Sequence, residues 1–206
     1  RGEPADYRCT GHQFAGDAYT LAVETPNGSR SLVLKLPGEH NICNALLAMA
    51  AAEAVGAGEA SVRQGLEAVQ PAAGRLERKV LSDRLTVIDD SYNANPSSMK
   101  AALDVLARES RRRVAELGGE GDRLHEEVGV HARNLGIDCL LVVGATEGCI
   151  ALASGFGAEA RRFDSHQQAV DDLLSNETGP MTVLVKGSRS SAMDQVVKML
   201  QEKVND

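Results

Sequence analysis

The spacing of apolar and polar residues changes character near residue 74. Before it, Tyr19-Thr20-Leu21-Ala22-Val23-Glu24-Thr25 runs into Pro26-Asn27-Gly28-Ser29, and Ser31-Leu32-Val33-Leu34-Lys35-Leu36 follows. Alternation with a period of two, broken by a Pro/Asn/Gly turn, predicts antiparallel strands within residues 1–37. An Ala- and Leu-rich stretch then predicts a helix over 41–56, closed by Gly56, and a second over 59–69. Pro71-Ala72-Ala73-Gly74 has the composition of a linker, so the chain divides into residues 1–73 and 74–206.

Beyond the linker, short apolar runs alternate with amphipathic stretches. Strands are expected near 85–89, 139–143, 159–163 and 181–185. Helices are expected near 97–108, 122–135, 146–154, 165–175 and 190–203. Strand–helix alternation of this kind predicts an α/β fold, a doubly wound parallel sheet covered by helices. One strand is hard to place. Between the helices at 97–108 and 122–135 the chain offers Arg111-Arg112-Arg113-Val114-Ala115-Glu116-Leu117-Gly118, with only Val114 and Ala115 as an apolar body. A central parallel strand is buried on both faces and needs a longer hydrophobic run. The expectation is therefore either a short edge strand or a break in the chain between about Val114 and Glu116.

Composition narrows the function. The chain has 206 residues, 43% of them hydrophobic, enough for a packed core. Only 3% are aromatic and the net charge is -7, which argues against nucleic acid as a partner. No apolar run approaches the 18 or so residues of a membrane helix, and no signal peptide is present, so a soluble cytoplasmic protein is expected. Cys9, Cys43, Cys139 and Cys149 share no zinc-like spacing. Cys43 and Cys139 fall in apolar stretches and are expected to be buried. The chain begins without Met, in what reads as a running domain, and is expected to be a fragment.

Four constellations could carry chemistry. Gly38-Glu39-His40-Asn41-Ile42-Cys43-Asn44-Ala45 opens the first helix, and Asn41 and Asn44 share a face. That pair could hold a purine edge or a phosphate, or Asn41 could simply cap the helix. Gly74-Arg75-Leu76-Glu77 offers a planar guanidinium suited to phosphate, with Glu77 near enough to orient it, or a solvated charge pair. Asp89-Asp90-Ser91-Tyr92-Asn93-Ala94-Asn95-Pro96 joins a strand end to a helix start, where α/β proteins bind ligands; it also suits a polar turn with a helix cap. Lys186-Gly187-Ser188-Arg189 follows another strand end, and positive charge there opposes the dipole of the next helix, which points to an anion. A fifth cluster, His125-Glu126-Glu127, lacks metal-binding spacing and reads as a helix surface or as packing. No Gly-x-x-x-x-Gly-Lys-Ser/Thr loop is present.

In this order, Gly38-x-His40-Asn41-x-x-Asn44-Ala45, Gly74-Arg75-x-Glu77 and Asp90-Ser91-Tyr92-Asn93-Ala94-Asn95-Pro96 resemble the Mur ligases, ATP-dependent amide ligases of peptidoglycan precursor synthesis. The forms Tyr92-Asn93-Ala94-Asn95-Pro96, Leu124-His125-x-Glu127-Val128-Gly129 and Lys186-Gly187-Ser188-Arg189 are similar to the member whose substrates are UDP-N-acetylmuramoyl-tripeptide and D-alanyl-D-alanine. The resemblance implies that 1–73 is the strand-and-helix end of an ATP-binding central domain. It implies that 74–206 is a Rossmann-like C-terminal ligase domain, in a protein that is a monomer. It implies an acyl-phosphate mechanism using ATP and Mg2+, with the phosphate loop, the metal ligands and the main catalytic residues outside this sequence. ATP contacts would come from His40, Asn41, Asn44, Arg75 and Asp90. Tyr92, Asn93, Asn95, Lys186, Ser188 and Arg189 would serve the dipeptide or the closed state, and no residue here would bind metal. The family also carries a Val-Leu-Gly-Asp-Met segment before residues 116–118 that this chain lacks. A folylpolyglutamate-type ligase, or a non-catalytic nucleotide-binding module, are the alternatives.

Overall fold

A computed structural model describes residues 5–15, 18–118, 123–176 and 179–205. The first residue of the helix expected at 122–135 lies outside them. The chain separates into two compact units, Arg1–Pro71 and Ala72–Asp206.

In the first unit, β1 (Arg8–Ala15), β2 (Ala18–Thr25) and β3 (Gly28–Leu34) form an antiparallel sheet in that order. The β2–β3 hairpin closes on the pair Thr25–Gly28, and Gly28 has φ 114°, a backbone conformation that disfavours a side chain. Alternation puts Tyr19, Leu21 and Val23 of β2 and Leu32 and Leu34 of β3 on one face. They pack with Ile42, Ala45 and Met49 of α1 (His40–Ala54) and Val62 of α2 (Glu59–Ala68). Arg30 on β3 pairs with Glu53 on α1, and the Tyr7 hydroxyl donates to the same carboxylate at 3.0 Å. Cys43 is exposed on α1, contrary to the buried place its neighbours suggested. Its apolar flanks belong to a helix that buries only Ile42, Ala45 and Met49.

The second unit is a six-stranded sheet in the order β4-β5-β9-β6-β7-β8. Its strands are β4 (Glu77–Val80), β5 (Leu85–Asp90), β6 (Arg112–Leu117), β7 (Cys139–Val143), β8 (Ala160–Phe163) and β9 (Met181–Lys186). All neighbours are parallel except β4, which pairs antiparallel with β5. Helices α3 (Pro96–Leu106), α4 (Arg123–Asn134) and α5 (Glu147–Phe156) cover one face, packing on Ile88, Ala115, Leu117, Leu140, Val142 and Leu184. On the other face, α6 (His166–Asn176) and α7 (Asp194–Asn205) pack on Val87, Val114, Leu141, Val183 and Val185. Gly129 on α4 and Gly155 on α5 let two helix backbones meet. A β-carbon on either would sit 2.1 Å from a carbonyl oxygen of the other helix. His125, also on α4, is buried, as a packing role requires.

The connections explain where a site can form. The chain moves outward through β5, β6, β7 and β8 with helices on one face, then returns across the other face to β9 at the centre. The loop after β9 therefore leads to the opposite face from the loops after β5 and β6. Such a reversal opens a crevice at the carboxyl ends of the strands.

The strand that was hard to place is intact. β6 pairs without a break to β9 from Arg112–Met181 to Leu117–Lys186, and to β7 from Val114–Cys139 to Leu117–Val142. It is central rather than at an edge, so neither the expected edge strand nor the expected break is found. The run is completed by Glu116, which lies beside Val185 and Leu141 on the face of Val114. Its side chain is fully buried, and neither carboxyl oxygen has a hydrogen-bond partner. Opening the strand would leave several backbone groups of β7 and β9 unpaired, each costing about 1–3 kcal/mol. One neutral carboxylic acid in an apolar layer costs about as much as one of those groups. The ladder wins, and the acid is drawn into the core.

Burial pushes the Glu116 acid up to about 8. The neutral form is favoured in the fold, so its stability is whole below about pH 4.3, where the unfolded chain also holds the proton, and is lost as pH rises toward 8. Glu116→Leu should be more stable than the parent at pH 7 in urea unfolding. That advantage should shrink on acidification by up to about 1.4 kcal/mol per pH unit. An advantage independent of pH between 4 and 9 would show that Glu116 does not ionise from a buried state.

Candidate functional site

Three strand ends lie in register at the crevice: Asp90 of β5, Lys186 of β9 and Leu117 of β6. The Lys186 side chain is only 2% exposed. Its ammonium donates to Asp90 Oδ2 at 2.5 Å and to the Asn93 carbonyl at 2.9 Å. The other oxygen of Asp90 accepts the Leu76 N–H at 3.1 Å. One carboxylate thus ties together the end of β9, the β5–α3 loop and the segment before β4.

Asp89, next in line, faces the other way. Its Oδ1 accepts both the N–H and the hydroxyl of Ser91, at 3.2 and 2.7 Å, and Oδ2 accepts Lys79 at 2.5 Å. Burial lowers the Lys79 ammonium, but its bonds and charge pairing with Asp89 and Glu77 outweigh burial and raise it. Glu77 lies 3.2 Å from Lys79 and accepts the Gly74 N–H at 3.4 Å. It does not orient Arg75 as its position in the sequence suggested. Strand pairing explains this: Glu77 stands opposite Asp89 on β4, and Lys79 answers both carboxylates.

Arg75 instead lies over the Tyr92 ring, 4.4 Å from its centroid, and Arg189 approaches the same ring at 5.3 Å. Among the described residues neither guanidinium makes an ion pair. The turn that carries Arg75 is tightly held. Gly74 and Leu76 have φ of 68° and 52°, and the Tyr92 N–H donates to the Gly74 carbonyl at 3.1 Å. A side chain at Gly74 would be strained by its φ and crowded, with a β-carbon 3.2 Å from Tyr92 N.

Asn95 is the N-cap of α3. Its Oδ1 accepts the Ser98 N–H at 2.9 Å, the Ser98 hydroxyl accepts the Asn95 N–H at 3.1 Å, and Pro96 begins the helix. Asn93 Oδ1 accepts the Ala94 N–H at 2.9 Å. Beyond β9 the chain does not enter a helix at residue 190. It makes a short 3-10 turn over Arg189–Ser191, then Ala192 at φ 47°, and α7 starts at Asp194. The Ser188 and Ser190 hydroxyls lie 2.7 Å apart, and the Ser191 hydroxyl donates to the Ser188 carbonyl at 2.7 Å. His166 Nε2 contacts the Ser191 carbonyl at 2.8 Å, a support from α6 that the sequence did not announce because it lies 25 residues away.

In the first unit, Asn41 and Asn44 come together: Asn44 Nδ2 donates to Asn41 Oδ1 at 3.0 Å, and Asn41 Nδ2 donates to the Pro37 carbonyl at 2.7 Å. The N-cap is Glu39, not Asn41, and it makes no side-chain cap. The His40 ring lies against Gly38, where an added β-carbon would come within 2.5 Å. Among the described residues no three His, Cys, Asp or Glu side chains are grouped to hold a metal ion, and no helix is long and apolar enough to cross a membrane.

The family model described as the Mur ligase, glutamate ligase domain matches residues 74–189. The chain is 40% identical over 206 residues to UDP-N-acetylmuramoyl-tripeptide--D-alanyl-D-alanine ligase of Escherichia coli (strain K12), which covers 96% of this chain and 45% of that protein. A solved UDP-N-acetylmuramoylalanyl-D-glutamyl-2,6-diaminopimelate--D-alanyl-D-alanyl ligase from Acinetobacter baumannii matches with TM-score 0.85 and 32% identity, covering 98% of this chain and 45% of that one. MurF ligase from Thermotoga maritima, solved in complex with ADP, shares the fold at TM-score 0.81 and 17% identity, over 98% of this chain and 48% of its own. The chain spans less than half the length of each.

Removing Asp90 would strand a buried ammonium, and breaking a buried pair from one side costs about 3–5 kcal/mol. Asp90→Ala should lower the urea stability of the second unit by that order. Lys186→Met, which removes the ion that most needs a partner, should cost less. The reverse ranking would mean that Lys186 reaches solvent.

Proposed function

We propose that this chain, which belongs to the Mur ligase family, is the acceptor-side part of an ATP-dependent amide ligase that adds D-alanyl-D-alanine to UDP-N-acetylmuramoyl-tripeptide in peptidoglycan precursor synthesis. The observation that carries the reading is the cationic end of the sheet. Arg75 and Arg189 stand at the crevice without carboxylate partners among the described residues, beside a lysine already neutralised by Asp90. Unanswered guanidiniums at a strand-end crevice suit phosphoryl oxygens.

In this reading ATP transfers its terminal phosphoryl group to the tripeptide carboxylate and leaves as ADP. The D-alanyl-D-alanine amine attacks the acyl carbon, loses a proton, and phosphate departs as the amide forms. Negative charge grows on the phosphoryl oxygens, and Arg75 and Arg189 offset it. Lys186 acts at one remove, by fixing the Asn93 carbonyl and Asp90. Asp90, held by Leu76 and Lys186, takes the ribose hydroxyls. His40, Asn41 and Asn44 take the adenine end. Tyr92, Asn93, Asn95 and Ser188 border the dipeptide, with Asn95 also fixing the start of α3. Among the described residues no cluster suited to Mg2+ is present. The substrates place the reaction in the cytoplasm.

A complete ligase containing this sequence should release phosphate only when ATP, UDP-N-acetylmuramoyl-tripeptide and D-alanyl-D-alanine are all present. The 206-residue chain alone should give no turnover, because it has no glycine-rich phosphate loop. Equal rates with glutamate in place of the dipeptide would reject the dipeptide assignment. Turnover by the chain alone would reject the division of labour.

A further inference from the structure

We propose that Tyr92 is a positioning residue, whose ring holds Arg75 and Arg189 together so that they act on one phosphoryl dianion. The inference rests on the reading of this crevice as a phosphoryl site. It begins from a pairing that sequence order does not suggest: the two arginines are 114 positions apart, at opposite ends of the second unit, yet both guanidiniums lie over one ring, at 4.4 and 5.3 Å. Both distances are inside the range where the negative face of an aromatic ring attracts a cation. Two like charges gathered on one ring repel each other, and no carboxylate among the described residues relieves them. A doubly charged anion would.

The backbone on each side is set for this. Arg75 sits between two residues of positive φ, and its turn is fastened to the β5–α3 loop by Leu76 N–H to Asp90 and by Tyr92 N–H to the Gly74 carbonyl. Arg189 stands in the 3-10 turn after Gly187, whose missing β-carbon would come within 2.3 Å of the Ser191 hydroxyl. Tyr92 itself is 45% exposed. The ring belongs to neither apolar layer of the sheet, and its service is to the two guanidiniums it contacts. The hydroxyl is not needed for that, so phenylalanine should substitute for it.

The test is titration of the 206-residue chain with inorganic phosphate at fixed ionic strength, with thermal unfolding as a check on the fold. Tyr92→Phe should bind within about twofold of the parent, and Tyr92→Leu should bind about tenfold more weakly, as should Arg189→Gln. The double variant Tyr92→Leu with Arg189→Gln should bind far better than the product of the separate losses implies, because the ring acts through the arginine. Three outcomes overturn the proposal. Losses that multiply would mean that Tyr92 acts independently of Arg189. Unchanged binding in Tyr92→Leu, with loss in Arg75→Gln and Arg189→Gln, would remove the role of the ring and keep the phosphoryl site. No phosphate binding by the parent chain would remove the clamp and count against the site beneath it.

Discussion

The bond between Lys186 and Asp90 is the constraint on which the site depends. An ammonium that is 2% exposed has lost its water and needs a close carboxylate and further acceptors, and here it has Asp90 and the Asn93 carbonyl. Meeting that need fixes the end of β9 against the end of β5 and sets the path of the β5–α3 loop. Through Leu76 N–H, it also anchors the turn that presents Arg75. Three segments far apart in sequence are thus located by the requirements of one buried charge.

The sheet supplies the setting for that charge. Because the chain returns across the opposite face to insert β9 between β5 and β6, the loops on either side of β9 diverge. Apolar alternation along each strand feeds two separate helical layers, and polar residues appear where the strands end. The exception is Glu116, a carboxylic acid within the layer itself. It marks where the needs of the backbone ladder prevailed over those of a single side chain.

Much of this was legible in the sequence, for local reasons. The runs at 85–89, 139–143 and 181–185 read as buried strands because apolar residues make up most of each. The Asn95-Pro96 step read as a helix start because capping is a short-range matter. The failures involve distant partners. The sequence of β6 is low in hydrophobic residues, while its place is decided by two neighbouring strands that need its backbone. Proximity in sequence matches Glu77 to Arg75, but antiparallel pairing places it with Asp89 and Lys79. Cys43 looked buried from its neighbours, yet it lies on the outward side of α1. The helix pattern starts at 190, four residues before α7 does, since nothing local in Arg189-Ser190-Ser191 reveals a turn supported by His166.

The two borders of the six-stranded sheet are built from β4, Glu-Arg-Lys-Val, and β8, Ala-Arg-Arg-Phe. Each is four residues long and carries two cationic side chains. A sheet with open sides is a template for another copy of itself, and short charged margins are how such templating is opposed. On these margins Arg78 is paired with Glu109, Lys79 with Asp89 and Glu77, and Arg161 with Asp172, so an approaching copy would meet hydrated ion pairs and not an apolar ribbon. The sheet therefore ends with the chain that made it, and its carboxyl-end crevice stays open to small solutes rather than being lost in a fibre.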